Sequence, residues 1–349
     1  MKKKFKFPFS VAEISANHNG SLRNAKRLIK IAKKNGFEAV KLQTFKPETM
    51  TLNSKKKYFQ IKEGLWKGSN LWKLYEKAQT PYIWHKELFD FAKKIGITCF
   101  STPFDETAVD FLEKLNCPFY KVASFEMTDL TLIKRISLTK KPLIVSTGIA
   151  DIDEIDFVYK FIKKCGIKNF AFLYCVSSYP AKIEDFNLNN IKILKKKYSC
   201  SIGFSDHSKD NSIAFSAVVA GAEILEKHIA LRNQKGLDYD FSIKEDEMKN
   251  FVKTINKARS LLGSKYFNRS KSEKKNKKFR RSIFVAENIK KGEKFAKKNL
   301  KKIRPGYGIS PIYYDKLISR RSPINLKKNN PLKREILKKL KIKVFKSIV

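Results

Sequence analysis

Apolar runs of seven or eight residues recur along the first 262 positions, each followed by a stretch in which apolar residues return every three or four. The runs read as strands: FSVAEIS (9–15), AVKLQTF (39–45), TCFSTPF (98–104), FYKVASF (119–125), PLIVSTG (142–148), FAFLYCV (170–176), SIGFSDH (201–207) and EILEKHIA (223–230). The intervening pattern is helical, as in LRNAKRLIKIAKKNG (22–36), where apolar positions share one face and a glycine ends the run. Eight strand–helix units in this length predict an α/β fold, a (β/α)8 TIM barrel over residues 1–262. A doubly wound open sheet is the alternative, and the count of eight favours closure. The segment 46–84 is too long for an ordinary barrel loop and is expected to cover the mouth of a site. Residues 263–280 are lysine-rich and read as a linker. Beyond them, SIFVAENIKKGEKFAKKNLKKIRPGYGI reads as short strand, turn, short helix and glycine-bearing loop, which predicts a small second domain over 281–349.

Composition narrows the class without changing that picture. An apolar fraction of 42% and an aromatic fraction of 12% indicate globular structure. MKKKFKFPFSVAEIS begins like a signal peptide, but its apolar run is short and Glu13 interrupts it. No stretch approaches eighteen uninterrupted apolar residues, so no membrane span is expected. Cys99, Cys117, Cys165, Cys175 and Cys200 are odd in number and form no C-x-x-C, which suits reduced thiols in a cytoplasmic protein.

The formal charge of +42 raises a nucleic-acid reading. Residues 265–349 hold 29 Lys and Arg against 5 Asp and Glu, a surplus of 24, yet lysines are spread along the whole chain. No nucleic-acid module accompanies them, so a general lysine bias explains the charge as well and no nucleic-acid partner is expected. Anionic substrates would still feel the field.

In a barrel of this type, catalytic groups project from the C-terminal ends of the strands, and the polar residues collect there. The first strand offers Glu13, with Asn17 and His18 beyond it; the second offers Lys41 and Gln43, two apart and so on one face. Thr102 closes the third, Lys121, Ser124 and Glu126 the fourth, and Ser146 the fifth. Ser177 and Tyr179 follow the sixth, Ser205, Asp206 and His207 the seventh, and Glu226 and His228 lie on the eighth. A strand-end lysine often only snorkels to solvent. Two lysines inside a barrel each require an anion, and Lys41 and Lys121 with Thr102, Ser124, Ser146 and Ser205 would form a ring of donors suited to a phosphate. His207 and His228, on adjacent strands, would share one divalent ion, with Glu226 orienting or supplementing them and open positions left for water and substrate oxygen. His85, in YIWHKELF, reads as structural.

AEISANHNGS, VKLQTF, FSTPFD, YKVASFE, IVSTGIA, YPA, IGFSDHS and LEKHI occur in order along nearly the whole chain. Together they resemble the bacterial sialic acid synthase family, which condenses phosphoenolpyruvate with an acetamido sugar to give a nine-carbon 2-keto acid. RRSIFVAENIKKGEKF and IRPGYG resemble that family's C-terminal SAF (antifreeze-like) domain. TLNSK (51–55) and residues 64–85 most resemble the pseudaminic acid branch, whose sugar is 2,4-diacetamido-2,4,6-trideoxy-L-altrose.

The resemblance implies that Lys41, Thr102, Lys121, Ser124, Ser146 and Ser205 hold phosphoenolpyruvate, and that Gln43, Phe104, Ser177, Tyr179, Asp238 and Arg304 line the sugar. It implies Glu126, Glu13 and Lys121 as catalytic residues. His207 and His228 would bind Mn2+ or Mg2+. Arg304 would act from the partner subunit of a domain-swapped homodimer. Ser177 stands where sialic acid synthases carry asparagine, and the chain between His228 and GLD (236–238) is shorter than theirs; both departures weaken N-acetylmannosamine as substrate. The competing readings are an N-acetylneuraminate or legionaminic acid synthase and, from another class, a basic nucleic-acid-binding protein.

Overall fold

A computed structural model describes residues 7, 9–178, 181–264 and 266–345. The chain divides into two compact units, Met1–Gly263 and Ser264–Val349.

The first unit is built on β1 (Ser10–Glu13), β2 (Ala39–Thr44), β3 (Thr98–Pro103), β4 (Tyr120–Val122), β5 (Leu143–Ser146), β6 (Phe170–Cys175), β7 (Ser201–Asp206) and β8 (Leu225–Ala230). Each pairs in parallel with the next, and β8 pairs back onto β1 with Glu13 opposite His228. The sheet is therefore a closed eight-stranded barrel, and the open-sheet alternative is excluded. Parallel strands covered on both faces are apolar nearly throughout, which is why they stand out in the sequence as unbroken runs. A two-residue strand, β9 (Ile243–Lys244), adds to the edge of β8.

Helices α1 (Leu22–Lys34), α4 (Tyr82–Ile95), α5 (Glu106–Lys114), α6 (Leu130–Leu138), α7 (Ile152–Lys164), α8 (Asn189–Lys197), α9 (Asn211–Ala220) and α10 (Met248–Leu261) follow the eight strands in turn. In α1, Ala25, Leu28, Ile29 and Ala32 are buried on one face; a fully buried Leu or Ile contributes roughly 1.5–3 kcal/mol. Side-chain caps set where the helices begin. Asp105, Asp129, Asp151 and Asp210 each accept backbone N–H groups of the first turn. The long insertion before α4 holds α2 (Pro47–Met50) and α3 (Leu71–Ala78), joined by a segment in which Gln60 bridges Asn70.

The second unit pairs β10 (Ser282–Val285) antiparallel with β11 (Leu300–Ile303) around a separate core that includes Ile283, Phe295, Tyr313 and Leu332. Three short helices, α11 (Lys271–Lys275), α12 (Tyr314–Leu317) and α13 (Arg334–Lys339), complete it. No helix among the described residues is long and apolar enough to cross a membrane.

Candidate active site

A cavity of about 420 Å3 opens where the barrel strands end. Its floor is charged. Lys41 and Lys121 are almost fully buried, and the anions they require are supplied by the protein itself. Lys41 Nζ lies 2.7 Å from Glu13 Oε2 and 3.8 Å from Glu226 Oε2, and it donates to Thr102 Oγ1 at 3.1 Å. Lys121 Nζ donates to both Glu226 oxygens, at 3.1 and 3.3 Å, and Ser205 Oγ donates to Glu226 Oε1 at 2.9 Å.

Glu226 thus holds the two lysines together; among the described residues it accepts hydrogen bonds from Lys121 and Ser205, and it acts on His207 and His228 through its charge. The reason is geometric. Glu226 and His228 share a face of β8 but lie two residues apart, roughly 6.6 Å along the strand, so the carboxylate sits one layer deeper, level with the lysines.

The two carboxylates differ sharply. Burial opposes the charge of Glu226, but Lys121 and Lys41 outweigh it and hold the group down at about 2. For Glu13 burial dominates, the attraction of Lys41 only partly offsets it, and the pKa rises to about 7. Lys121 is lowered by burial, whereas the charges of Glu13 and Glu226 overcome burial at Lys41 and raise it.

His207 and His228 stand side by side above this layer, ring centroids 5.4 Å apart, with Phe241 edge-on to both. His207 Nδ1 donates to Val176 O at 3.1 Å, the tautomer that puts the ring's lone pair on Nε2. His228 Nδ1 is buried with no hydrogen-bond partner among the described residues and lies 3.7 Å from Asp238 Oδ2. Burial lowers His207 to about 4 and His228 well below its ordinary value, so both are neutral imidazoles near pH 7, as metal ligation requires. Among the described residues no group of three or more His, Cys, Asp or Glu is arranged to hold a metal. The fit to a divalent ion rests on two neutral imidazoles and one orphaned buried nitrogen.

Ser124, Ser146 and Ser177 line the cavity together with Cys175, which the sequence did not single out. Ser124 Oγ contacts Cys175 Sγ at 3.1 Å and accepts Gly148 N–H at 3.1 Å. A Cβ at Gly148 would come within 2.8 Å of both Cys175 Sγ and Ser124 Oγ and closer still to Ser177 Oγ, so a larger residue would have to push these three side chains aside. Glu126 lies at the cavity wall with Oε2 buried and without a hydrogen-bond partner; burial pushes it up to about 7. Gln43 and Phe104 also face the cavity. Asp238 accepts a hydrogen bond from Ser15 Oγ. Ser15 takes a left-handed backbone, φ 45°, which costs a non-glycine residue roughly 1–2 kcal/mol.

The insertion covers the mouth as expected. Met50, Ile61, Trp66, Leu71, Leu74 and Tyr75 form an apolar wall, and Trp66 Nε1 donates to Leu237 O at 3.1 Å. Asn17 holds structure rather than ligand, donating to Ile229 O and Ser242 Oγ. His85 lies outside the cavity against Thr44 Oγ1, at 2.8 Å, and His18 packs on Trp84. Arg304 is exposed and follows β11 in the second unit. Tyr179 lies outside the described residues.

Residues 28–266 match the NeuB family and residues 280–335 the SAF domain. The chain belongs to the NeuB family. It is 42% identical over 326 residues to a pseudaminic acid synthase of Campylobacter jejuni, covering 93% of this chain and 95% of that one. It is 36% identical over 324 residues to the N,N'-diacetyllegionaminic acid synthase of the same organism, covering 91% and 97%. A crystal structure of the N-acetylneuraminic acid synthetase of Leptospira borgpetersenii superposes with a TM-score of 0.70 at 31% identity, covering 77% of this chain and 90% of that one. The NeuB barrel thus accounts for the charged floor as an enzyme site, and the SAF match identifies the second unit.

Proposed function

We propose that this NeuB-family enzyme condenses phosphoenolpyruvate with 2,4-diacetamido-2,4,6-trideoxy-L-altrose, releasing phosphate and a nine-carbon 2-keto acid, the reaction of a pseudaminic acid synthase. The observation that carries this reading is the pairing of a lysine-rich buried floor with an apolar wall. The floor, with Lys41 and Lys121 among Thr102, Ser124, Ser146 and Ser205, suits a phosphate and carboxylate. Within the wall, Met50, Ile61, Leu71 and Leu74 have no side-chain hydrogen-bonding group, Trp66 donates its N–H to Leu237 O, and Tyr75 carries a hydroxyl; the methyl end of a sugar suits the four aliphatic side chains. A hydroxyl placed against those four is left unpaired. The greater identity to the pseudaminic than to the legionaminic relative points the same way.

In the reaction, C3 of phosphoenolpyruvate forms the new bond to the aldehyde carbon as the carbonyl π pair moves to its oxygen, leaving an alkoxide there and positive charge at C2. Water adds at C2, its two protons end on the alkoxide and on the phosphate, and phosphate departs with cleavage of its C–O bond as the C2 ketone forms. Lys41 and Lys121 hold the phosphate's charge throughout, as preorganised cations. Glu126, with a pKa of about 7, accepts the proton of the water. Glu13 sits beside the lysines, where its near-neutral pKa lets it give way to an incoming anion. Gln43, Phe104, Ser177, Tyr179 and Asp238 orient the sugar. His207 and His228 would hold Mn2+ or Mg2+, which when bound supplies a charge that polarises a carbonyl. Arg304 of the partner subunit completes the sugar site in a domain-swapped homodimer. All five cysteines are free, which supports action in the cytoplasm.

The test is phosphate release from phosphoenolpyruvate with Mn2+, offering the trideoxy-altrose and N-acetylmannosamine in parallel, each with a chelator control. Chelator-sensitive release with the altrose alone is expected. Release with N-acetylmannosamine alone would overturn the sugar assignment and leave the family chemistry in place.

A further inference from the structure

A second buried ion pair lies on the other side of the barrel wall. Side chains alternate along a strand, so Lys227 points away from the cavity that Glu226 and His228 face, and Asp206 away from that of Ser205 and His207. The two are partners across β7 and β8, and each is at most 1% exposed. Lys227 Nζ donates to Asp206 Oδ2 at 3.0 Å and also to Ser208 O, while Asp206 Oδ1 accepts Ser208 N–H at 2.8 Å. Ser208 is itself buried. The pair therefore grips the residues immediately before and after His207, and the lysine that does so is the chain neighbour of His228.

We infer that the Lys227–Asp206 pair is a positioning device that fixes the separation of the His207 and His228 imidazoles. The inference rests on the proposed metal-holding role of those histidines. A buried ion pair is a poor source of stability, since well-packed apolar residues of similar volume serve as well or better. What apolar residues cannot do is satisfy the buried N–H and C=O of Ser208 and so hold the link that leads out of β7. That link has no helix to support it until α9 begins at Asn211. Groups behind metal ligands that fix their orientation typically change metal affinity 10- to 100-fold when removed.

The experiment measures Mn2+ affinity of the full chain without substrates, by the electron paramagnetic resonance signal of the free ion, alongside melting temperature. His207→Ala first separates the two claims: Mn2+ affinity equal to wild type in that variant removes the metal reading and this inference with it. The double variant Lys227→Met with Asp206→Leu keeps the volume and removes both charges. It is expected to remain folded with a melting temperature lowered by the unpaired backbone groups of Ser208, to bind Mn2+ at least tenfold more weakly, and to keep its KM for phosphoenolpyruvate within about twofold at saturating metal. A folded double variant with wild-type Mn2+ affinity overturns the inference. If the double variant does not fold, Asp206→Asn, which retains one acceptor oxygen for Ser208 N–H, is compared with Asp206→Ala, which retains none. Retained affinity in the first and a tenfold loss in the second are expected; equal affinities overturn the inference.

Discussion

Glu13 lies 2.7 Å from Lys41 inside the barrel, the two side chains 1% and 4% exposed. With Lys121 and Glu226 they form a four-membered set of two cations and two anions that balances before any substrate arrives. An incoming phosphate must therefore displace an anion's role, and Glu13, held near neutrality by burial, is the one that yields.

Replacing Glu13 with Gln makes this measurable. The variant keeps two ammonium groups with one carboxylate between them and mimics the protonated form that burial favours at Glu13. Its melting temperature is expected to stay close to that of wild type in plain buffer near pH 7 and to rise in millimolar inorganic phosphate by more than wild type gains. Equal gains in the two proteins would show that phosphate does not enter this layer.

Glu126 sets a pH dependence in both activity and stability. As the proposed base it must be ionised, so kcat is expected to fall as pH drops through about 7, and Glu126→Gln should abolish that limb with a loss of roughly 10²–10⁴ in rate. The sign is reversed for the fold. A folded pKa raised from 4.5 to about 7 means that the contribution is intact below pH 4.5 and is lost as pH rises through 7. Glu126→Gln should thus melt higher than wild type at pH 8 and close to it at pH 4. Melting curves at both pH values check this.

Trp66 ties the insertion to the loop bearing Asp238 through its bond to Leu237 O. Trp66→Phe preserves an aromatic ring and removes the donor, a change of about 1 kcal/mol. The sugar's KM is expected to rise about fivefold while that for phosphoenolpyruvate holds. A change confined to phosphoenolpyruvate would place the segment over the wrong substrate.

How far the sequence reveals this site depends on the kind of interaction. Strands β1 to β8 were legible because burial on both faces leaves continuous apolar runs, and Lys41, Lys121, Ser205 and His207 stood out as polar residues where those runs should stay apolar. Their depth was not legible. Glu226 and His228 share a periodicity; the meeting of His228 with His207 is expected from adjacent strands, but only the closed barrel shows that Glu226 meets the lysines. Contacts between distant loops, such as Trp66 with Leu237, leave no local pattern at all. Gly148 reads as an ordinary turn residue until Ser124 and Cys175 are seen crowding its Cα.

The closure of β8 onto β1 has a consequence for how the protein is made. Ser15 and Asp238, which share a hydrogen bond in the finished site, are 223 residues apart in the chain. While a ribosome is still adding β8, the first strand has only β2 beside it, and Glu13 and Lys41 have no Glu226 to complete their set. Contacts of such long sequence separation form slowly, so the nascent barrel spends its synthesis with an open seam and two charged edges. The charged floor is completed only when the last barrel strand brings Glu226.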